Sequence, residues 1–448
     1  MKIMHYTLGL PPFRSGGLTR YAKDLMEEQA KNHEVLHLFP GKVDLINKKV
    51  RIKKSSKYNN GIKHFELVNS HPLPLFRGVK EPEHFIGQGP LHVFVDFLSG
   101  IRPDVLHVHT LMGIHQEFLI AAKEQGIRIV FTTHDYYGIC PTINLYKDKE
   151  NLNCNDFENG KGCQTCSSNS LSTKALLITQ TSFYPALKKV KKYLPINGMK
   201  QSNKDNEHEV EVSGEGDSYK YVTLREYYLE MLGLVDYFHF NSSQTEEVYR
   251  TYLPYIAGEV LSITHKDIKK VKTKKVKGKK IRLGYLGPMK EYKGFMLLMN
   301  SFSNLPANKF ELHLYGDESS GLNQNNVFLH GKYSGDELEK IFTELDVVIV
   351  PSIWRETFGF VTLEALSYGT PVIVSENVGS KDLVSEKFGW KFSVSERDEL
   401  SDILLTLDVD DLYQKHLNIN NEFKIPTIKL HSDLLIGKFY GNSKVEKS

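Results

Sequence analysis

Residues 347–379, VVIVPSIWRETFGFVTLEALSYGTPVIVSENVG, leave the chain little freedom of fold. Residues 347–350 form a short, wholly apolar run rich in β-branched side chains, the pattern of a parallel strand buried on both faces. Pro351 and Ser352 end it, a loop runs to Gly359, and a helix is predicted from about 360 to 368. Gly369 stops that helix, and Thr370-Pro371 leads into a second apolar strand, 372–375. Strand, loop, helix and strand in this order are the building block of a doubly wound α/β sheet.

Two carboxylates interrupt this apolar unit. Glu356 falls in the loop, and Glu364 falls in the second turn of the helix, flanked by Leu363, Ala365 and Leu366. An ionised carboxylate on so apolar a helix is costly unless something bonds it. The free N–H groups at Gly359, Phe360 and Val361 face the mouth of the crevice, where helix polarity favours a phosphate. Two readings stay open on these residues alone. One places a phosphate at the helix start, a ribose at Glu364 and a polyhydroxylated group at Glu356. The other makes Glu364 a structural partner of an Arg or Lys and leaves Glu356 solvated.

Glu356-x7-Glu364, with Phe358-Gly359 inside it and Ala365, Gly369 and Pro371-Val372-Ile373 behind it, closely resembles family 4 glycosyltransferases. The resemblance implies α/β domains in the GT-B architecture, two Rossmann-like doubly wound units facing across a cleft. It also implies a retaining enzyme that uses nucleotide-activated sugars and favours the functional reading of both carboxylates. The match is sharpest over residues 284–384 and looser through 1–40, 100–140 and 220–250.

A length of 448 residues suits two domains rather than one core. A formal net charge of +3 is small for this size and gives no ground for a nucleic-acid partner. No apolar run approaches a membrane span of roughly 18 residues, and MKIMHYTLGLPPF lacks a signal-peptide pattern. The expected location is therefore the cytoplasm, with peripheral contact at the inner face of a membrane as an open extension.

In the first domain, residues 2–8 read as a strand and 18–31 as a helix, with Gly16-Gly17 between them. Paired glycines there let the backbone approach a ligand, and their position matches the family's glycine-rich loop beside the donor phosphates. A strand is expected at 34–39, whereas residues 42–89 carry mixed charges and little pattern. Further strands are expected at 104–109 and 127–133. His107 and His109 share one face by the period of two, which fits histidines bonded within the sheet better than a metal pair lacking a third ligand. His134 lies just past a strand end, where α/β sheets place ligands. Thr133-His134-Asp135-Tyr136 resembles the family's His-Asp element on the acceptor side.

All four cysteines fall between Cys140 and Cys166, spaced C-x13-C-x8-C-x2-C. In a reducing compartment Cys140, Cys154, Cys163 and Cys166 suit a structural zinc better than two disulfides, although only one C-x2-C is present. Residues 175–194 end in a basic cluster suited to an anionic membrane surface or an ordinary helix pair, and Pro185 interrupts them. Residues 198–220 read as a mobile polar loop, 221–232 as a helix and 235–240 as a strand. Ser243-x-x-Glu246 reads as a capping box opening the next helix.

Nine lysines and one aspartate crowd residues 266–280, a run that reads as a solvated linker or a membrane-facing stretch. A second sheet begins at 281–286, followed by a helix at 295–303 and strands at 312–316 and 327–331. Lys293-Gly294 matches the family's donor-phosphate lysine by position. Pro288 stands where that family commonly carries an arginine, and Asp317-Glu318 and Gly379-Ser380 are further departures. The resemblance places residues 328–333 near the nucleobase through their backbone.

These readings divide the chain into a first domain, 1–265, with a cysteine-rich insertion at about 140–220 and completion by about 430–448, and a second domain, 266–429. The expected activity is retaining transfer of a sugar from a nucleotide-diphosphate donor to a glycan or lipid-linked glycan, in cell-surface polysaccharide synthesis. Glu356, His134 and Lys293 are its candidate catalytic residues. Gly16, Gly17, Lys293, Glu356, Phe358, Gly359, Phe360 and Glu364 are its candidate donor contacts. The chemistry calls for no cofactor. A sugar-nucleotide epimerase and a non-catalytic glycan-binding scaffold are the alternatives.

Overall fold

The computed structural model describes residues 1–58, 61–75, 78–181, 215–271, 275, 278–316, 324–396 and 398–441. Among the described residues sixteen strands follow in chain order. They are β1 (Lys2–Tyr6), β2 (Glu34–Pro40), β3 (Arg51–Ser55), β4 (Lys63–Val68), β5 (Val105–Val108), β6 (Arg128–Thr132), β7 (Tyr146–Lys147) and β8 (Leu152–Asn153). Next come β9 (Tyr237–Phe240), β10 (Gly258–Val260), β11 (Ile281–Gly287), β12 (Phe310–Gly316), β13 (Val327–Gly331), β14 (Val347–Val350), β15 (Val372–Ser375) and β16 (Gly389–Phe392).

The first sheet has the order β10-β9-β6-β5-β1-β2-β4-β3 and is parallel except for the β3–β4 edge. The second has the order β13-β12-β11-β14-β15-β16 and is parallel throughout. Renumbered within itself, the second sheet runs 3-2-1-4-5-6, so its strand order reverses between β11 and β14. A doubly wound sheet opens its ligand crevice at that point. Every residue of β14 and β15 is buried, as a parallel strand covered on both faces requires.

Histidines cross the first sheet in register. His5 lies beside His37 on one neighbouring strand and His107 on the other, and His37 lies beside His64. The chain returns to this layer at its end: after the helix Val409–Glu422, residues 428–440 pack against the first sheet and its first helix, Gly17–Gln29. Tyr21 Oη and His431 Nε2 lie 2.7 Å apart, and Arg128 Nε donates to the Phe439 carbonyl at 2.7 Å.

Several expectations need correction. Residues 42–89 supply β3 and β4, short strands whose polar outer positions hid the alternation. The cap of the helix Ser243–Tyr252 is Ser242, not Ser243. The Ser242 hydroxyl accepts from Thr245 N, and Thr245 Oγ1 accepts from Ser242 N. Residues 215–220 belong to the helix Glu215–Gly233 rather than to a loop, whereas 182–214, including the basic cluster, lie outside the described residues.

The lysine run is also less solvated than its composition implies. Lys275 is half-buried, and its ammonium donates to the carbonyls of Phe342, Thr343 and Leu345 at the end of the helix Leu338–Glu344, where Thr370 Oγ1 also donates to the Phe342 carbonyl. Burial brings its pKa down to about 7. Lys266 and Lys280 reach Asp24 and Glu311.

The buried histidines set the pH response of the fold. Burial lowers His5, His64 and His239 to about 4 and His71 to about 3, against 6.5 in an open chain. Below pH 6.5 the unfolded chain therefore binds protons that the folded one refuses. Stability present above that pH falls as the pH drops toward 4, by about 1.4 kcal/mol per pH unit for each such histidine. Asp135, raised to about 6 by burial, opposes this as one group against several. The apparent Tm is thus expected to fall as the pH drops from about 6.5 to 5; an unchanged Tm over that window would contradict the neutral histidine layer.

Candidate active site

The second sheet's switch point opens into a cleft of about 520 Å³. Its walls are the end of β11, from Tyr285 to Pro288, the end of β14, from Ile349 to Ser352, and Lys293, Tyr333, Glu356, Gly359 and Val361. Lys293 enters from the short turn Glu291–Lys293. Gly294 follows with φ 72, and a Cβ there would lie 1.8 Å from the Pro351 carbonyl oxygen. Glycine is what lets this turn press against the end of β14.

Lys293 Nζ and Glu356 Oε1 form an ion pair at 2.7 Å, and Ser352 Oγ donates to the other Glu356 oxygen at 2.8 Å. The ammonium also lies 5.1 Å from the centre of the Trp354 ring. Beside them the helix Phe360–Ser367 begins at Gly359, φ 87, with no side chain capping it. Its first N–H groups are available to an anion.

Glu364 is buried one turn further along, with Oε1 3.4 Å from Arg20 Nη1 and 3.3 Å from His265 Nε2. Arg20 also holds Asp267 at 2.9 Å. The guanidinium paired with Glu364 therefore comes from the first domain's helix, one turn after Gly16-Gly17. That proximity to a glycine-rich helix start was the available sequence signal. His265 had no comparable signal.

The remaining candidates divide between the cleft and its frame. Gly17 faces Phe360 across the domains, and a Cβ on it would lie 3.3 Å from that ring. Gly16 caps the first helix with φ 126. Phe358 turns its ring into the core instead of the cleft, so any ligand contact there would be through its backbone. His134 is half-buried at the end of β6, its carbonyl accepting from Thr357 Oγ1 at 3.0 Å. The cleft thus joins Lys293, Glu356 and Gly359, with Glu364 behind them and His134 at the domain junction.

The four cysteines are free thiols that influence one another electrostatically, and no three of their sulfurs lie within 4.8 Å of one another. Cys140 Sγ contacts Thr142 Oγ1, Cys154 donates to Asp156 O, and Cys163 Sγ accepts from Arg225. Among the described residues the group of three metal-type donors within 4.8 Å of one another is His5, His107 and His109. This supplies the third histidine that the sequence did not reveal. All six of their ring nitrogens already face protein partners.

The cysteine-rich insertion instead supports the Glu356 loop. Asn153 donates to the Ile353 carbonyl at 2.9 Å and accepts from Arg355 N at 3.0 Å, while Arg355 reaches Asn155 and Cys154 O. From the other side Gln244 donates to the carbonyls of Glu356 and Asn377.

Two parallel sheets, a cleft at the second sheet's switch point and loops from both domains meeting there define the GT-B class of glycosyltransferase. The solved structure described as trehalose-6-phosphate from E. coli bound with UDP-2-fluoro glucose overlays with TM-score 0.58 at 13% identity, covering 98% of this chain and 99% of that one, a likeness of fold. The model for glycosyltransferase family 4 matches residues 15–154, and that for glycosyl transferases group 1 matches 266–422. The chain belongs to this glycosyltransferase family. It is 34% identical over 117 residues to a 41.2 kDa protein in the cps region of Klebsiella pneumoniae, a match spanning 25% of this chain and 32% of that relative. A 42.6 kDa protein in a cps region of the same organism is 24% identical over 336 residues, 73% of this chain and 71% of the relative.

Asn153→Ala removes both side-chain bonds that the insertion makes to residues 353 and 355. Each bond contributes roughly 0.5–1.5 kcal/mol, so amide exchange over 353–356 is expected to accelerate about tenfold or more, with the second sheet unaffected. Unchanged exchange in that loop would show that the insertion does not support it.

Proposed function

We propose that the chain transfers a sugar, with retention of anomeric configuration, from a nucleotide-diphosphate sugar to a hydroxyl of a glycan or lipid-linked glycan in cell-surface polysaccharide synthesis. The observation that carries this reading is the convergence of Lys293, Glu356 and the uncapped helix start at Gly359 in one switch-point cleft. The UDP-sugar analogue named for the E. coli neighbour supports the donor class, and the cps-region relatives support the pathway.

In this proposal the diphosphate lies across Lys293 and the helix start, where positive charge and free N–H groups stabilise the departing phosphate. Gly16 and Gly17 let the first domain close against it. Lys293 turns from Glu356 to the diphosphate, freeing that carboxylate to hold hydroxyls of the donor sugar. Glu364, with Arg20 and His265, receives the ribose, and His134 lies on the acceptor side. The sugar's anomeric carbon–phosphate oxygen bond breaks while the acceptor oxygen bonds to the same face. The acceptor proton passes to the leaving phosphate oxygen.

The cations required at the diphosphate are supplied by protein, and the chemistry needs no cofactor. A structural zinc on the cysteines is no part of this reading, because the thiols would have to draw together and Cys163 would have to leave Arg225. Four free thiols fit the reducing cytoplasm, where we place the enzyme, with its acceptor at the inner face of the membrane. Among the described residues no helix is long and apolar enough to cross a membrane.

The two carboxylates separate in their effects. Glu364→Ala should weaken nucleoside diphosphate and intact donor alike by about one to two orders of magnitude, the loss of a charged hydrogen-bond acceptor worth roughly 1.5–3 kcal/mol. Glu356→Ala should leave nucleoside diphosphate affinity intact while transfer falls about a hundredfold, since sugar orientation matters most as the bond breaks. Calorimetry and turnover assays read both; equal nucleotide loss in the two variants would show the roles to be misassigned.

A further inference from the structure

Beneath the cleft a chain of polar side chains crosses the first domain, and one end of it has a fixed polarity. His239 Nε2 meets the carbonyl oxygen of Leu261 at 2.7 Å, and a carbonyl can only accept. With a neutral ring, His239 must carry its proton on Nε2 and accept at Nδ1. Thr132 therefore donates to that nitrogen at 2.8 Å and accepts from His107 Nε2 at 2.6 Å. The other nitrogen of His107 then accepts from Tyr440 Oη at 2.6 Å.

The same logic runs onward. Tyr440 Oη accepts from Gln29 Nε2 at 3.1 Å, so the amide oxygen of Gln29 accepts from His5 Nε2 at 2.8 Å. His5 Nδ1 accepts from His109 Nε2 at 3.0 Å, and His109 Nδ1 accepts from His134 Nε2 at 3.3 Å. The rings stay neutral because loss of water contact, complete at His5 and His239 and partial at His134, lowers the first two to about 4 and His134 to about 3. Reversing any one bond would leave a donor facing a donor or place a second proton on a buried ring.

The chain ends at His134, beside the cleft. His134 is half-buried, its Nε2 is engaged by His109, none of the hydrogen bonds among the described residues uses its Nδ1, and Tyr21 packs against the ring at 4.9 Å between centres. We infer that Gln29, His5 and His109 are positioning residues that hold His134 with its proton on Nε2 and an unprotonated Nδ1, so that the group it engages on a bound sugar or acceptor is a hydroxyl that donates. A carboxylate or phosphate oxygen at that position would face a lone pair and be refused. The specificity statement rests on the proposed transfer reaction, whereas the tautomer does not.

The two are therefore tested separately. Protein carrying ¹⁵N-labelled histidine rings is examined by nitrogen–proton correlation spectra at pH 7.5, with His134 assigned from its absence in His134→Asn. The expected pattern is a protonated Nε2 and an unprotonated Nδ1; a proton on Nδ1, or on both nitrogens, overturns the inference. Gln29→Met cuts the chain at its middle with little change of size. It should turn His134 into a mixture of tautomers and lower kcat about tenfold with little change in donor KM. Thr7→Val, which removes only the bond to His37 in the neighbouring pair and the turn to Gly9, should leave the His134 pattern unchanged. An unaltered His134 pattern in Gln29→Met also overturns the inference. If that variant does not fold, the wild-type spectrum decides alone. A correct tautomer in a protein that transfers no sugar would count against the proposed function and not against the chain.

Discussion

An ammonium and a carboxylate 2.7 Å apart in a cleft between two domains, Lys293 and Glu356, set the terms for the surrounding structure. Neither group can be held in a low-dielectric crevice without a partner, and each comes from a short connection, a single helical turn for Lys293 and the loop after β14 for Glu356. The protein supports both loops from outside. Gly294 lets the lysine turn lie against Pro351. Ser352 bonds the far oxygen of Glu356, while Asn153 and Gln244, both from the first domain, hold the backbone on either side. The site is thus a joint property of the two sheets, although its two charged groups belong to one.

Glu364 repeats this arrangement deeper in the crevice. Its charge is balanced by Arg20 from the first domain and approached by His265 from the segment joining the two. Arg20 also binds Asp267 in that segment, so domain approach and carboxylate charge are linked through one guanidinium. The first domain contributes a second layer of order: a row of neutral histidines in register across its sheet, bonded to a tyrosine from the returning C-terminal segment.

Much of this was legible in the sequence, for physical reasons specific to each part. The strands 347–350 and 372–375 and the helix between them were readable because a doubly covered parallel strand tolerates almost nothing but β-branched residues. Glu364 stood out as a charge on an apolar helix where burial makes charge expensive, whereas Glu356 gained its weight from the E-x7-E motif and Lys293 from its position beside Gly294. β3 and β4 were not readable, because the alternation of an antiparallel edge is blurred by lysines facing water. Nor was the docking of Lys275, since composition cannot reveal that a helix end distant in sequence presents its carbonyls to that side chain. The histidine layer escaped for a related reason. His107 and His109 could be placed on one face of a strand, but register between strands distant in sequence is fixed only by the completed sheet.

The central claim is that this cleft moves a sugar off a nucleotide diphosphate with its configuration retained. The measurement that addresses it most directly is proton NMR of reactions with a panel of nucleotide-diphosphate sugars and glycan acceptors, reading both nucleoside diphosphate release and the anomeric coupling of the product. The account predicts acceptor-dependent release with the donor's anomeric configuration kept. An inverted product, or an epimerised sugar still joined to its nucleotide, would contradict it.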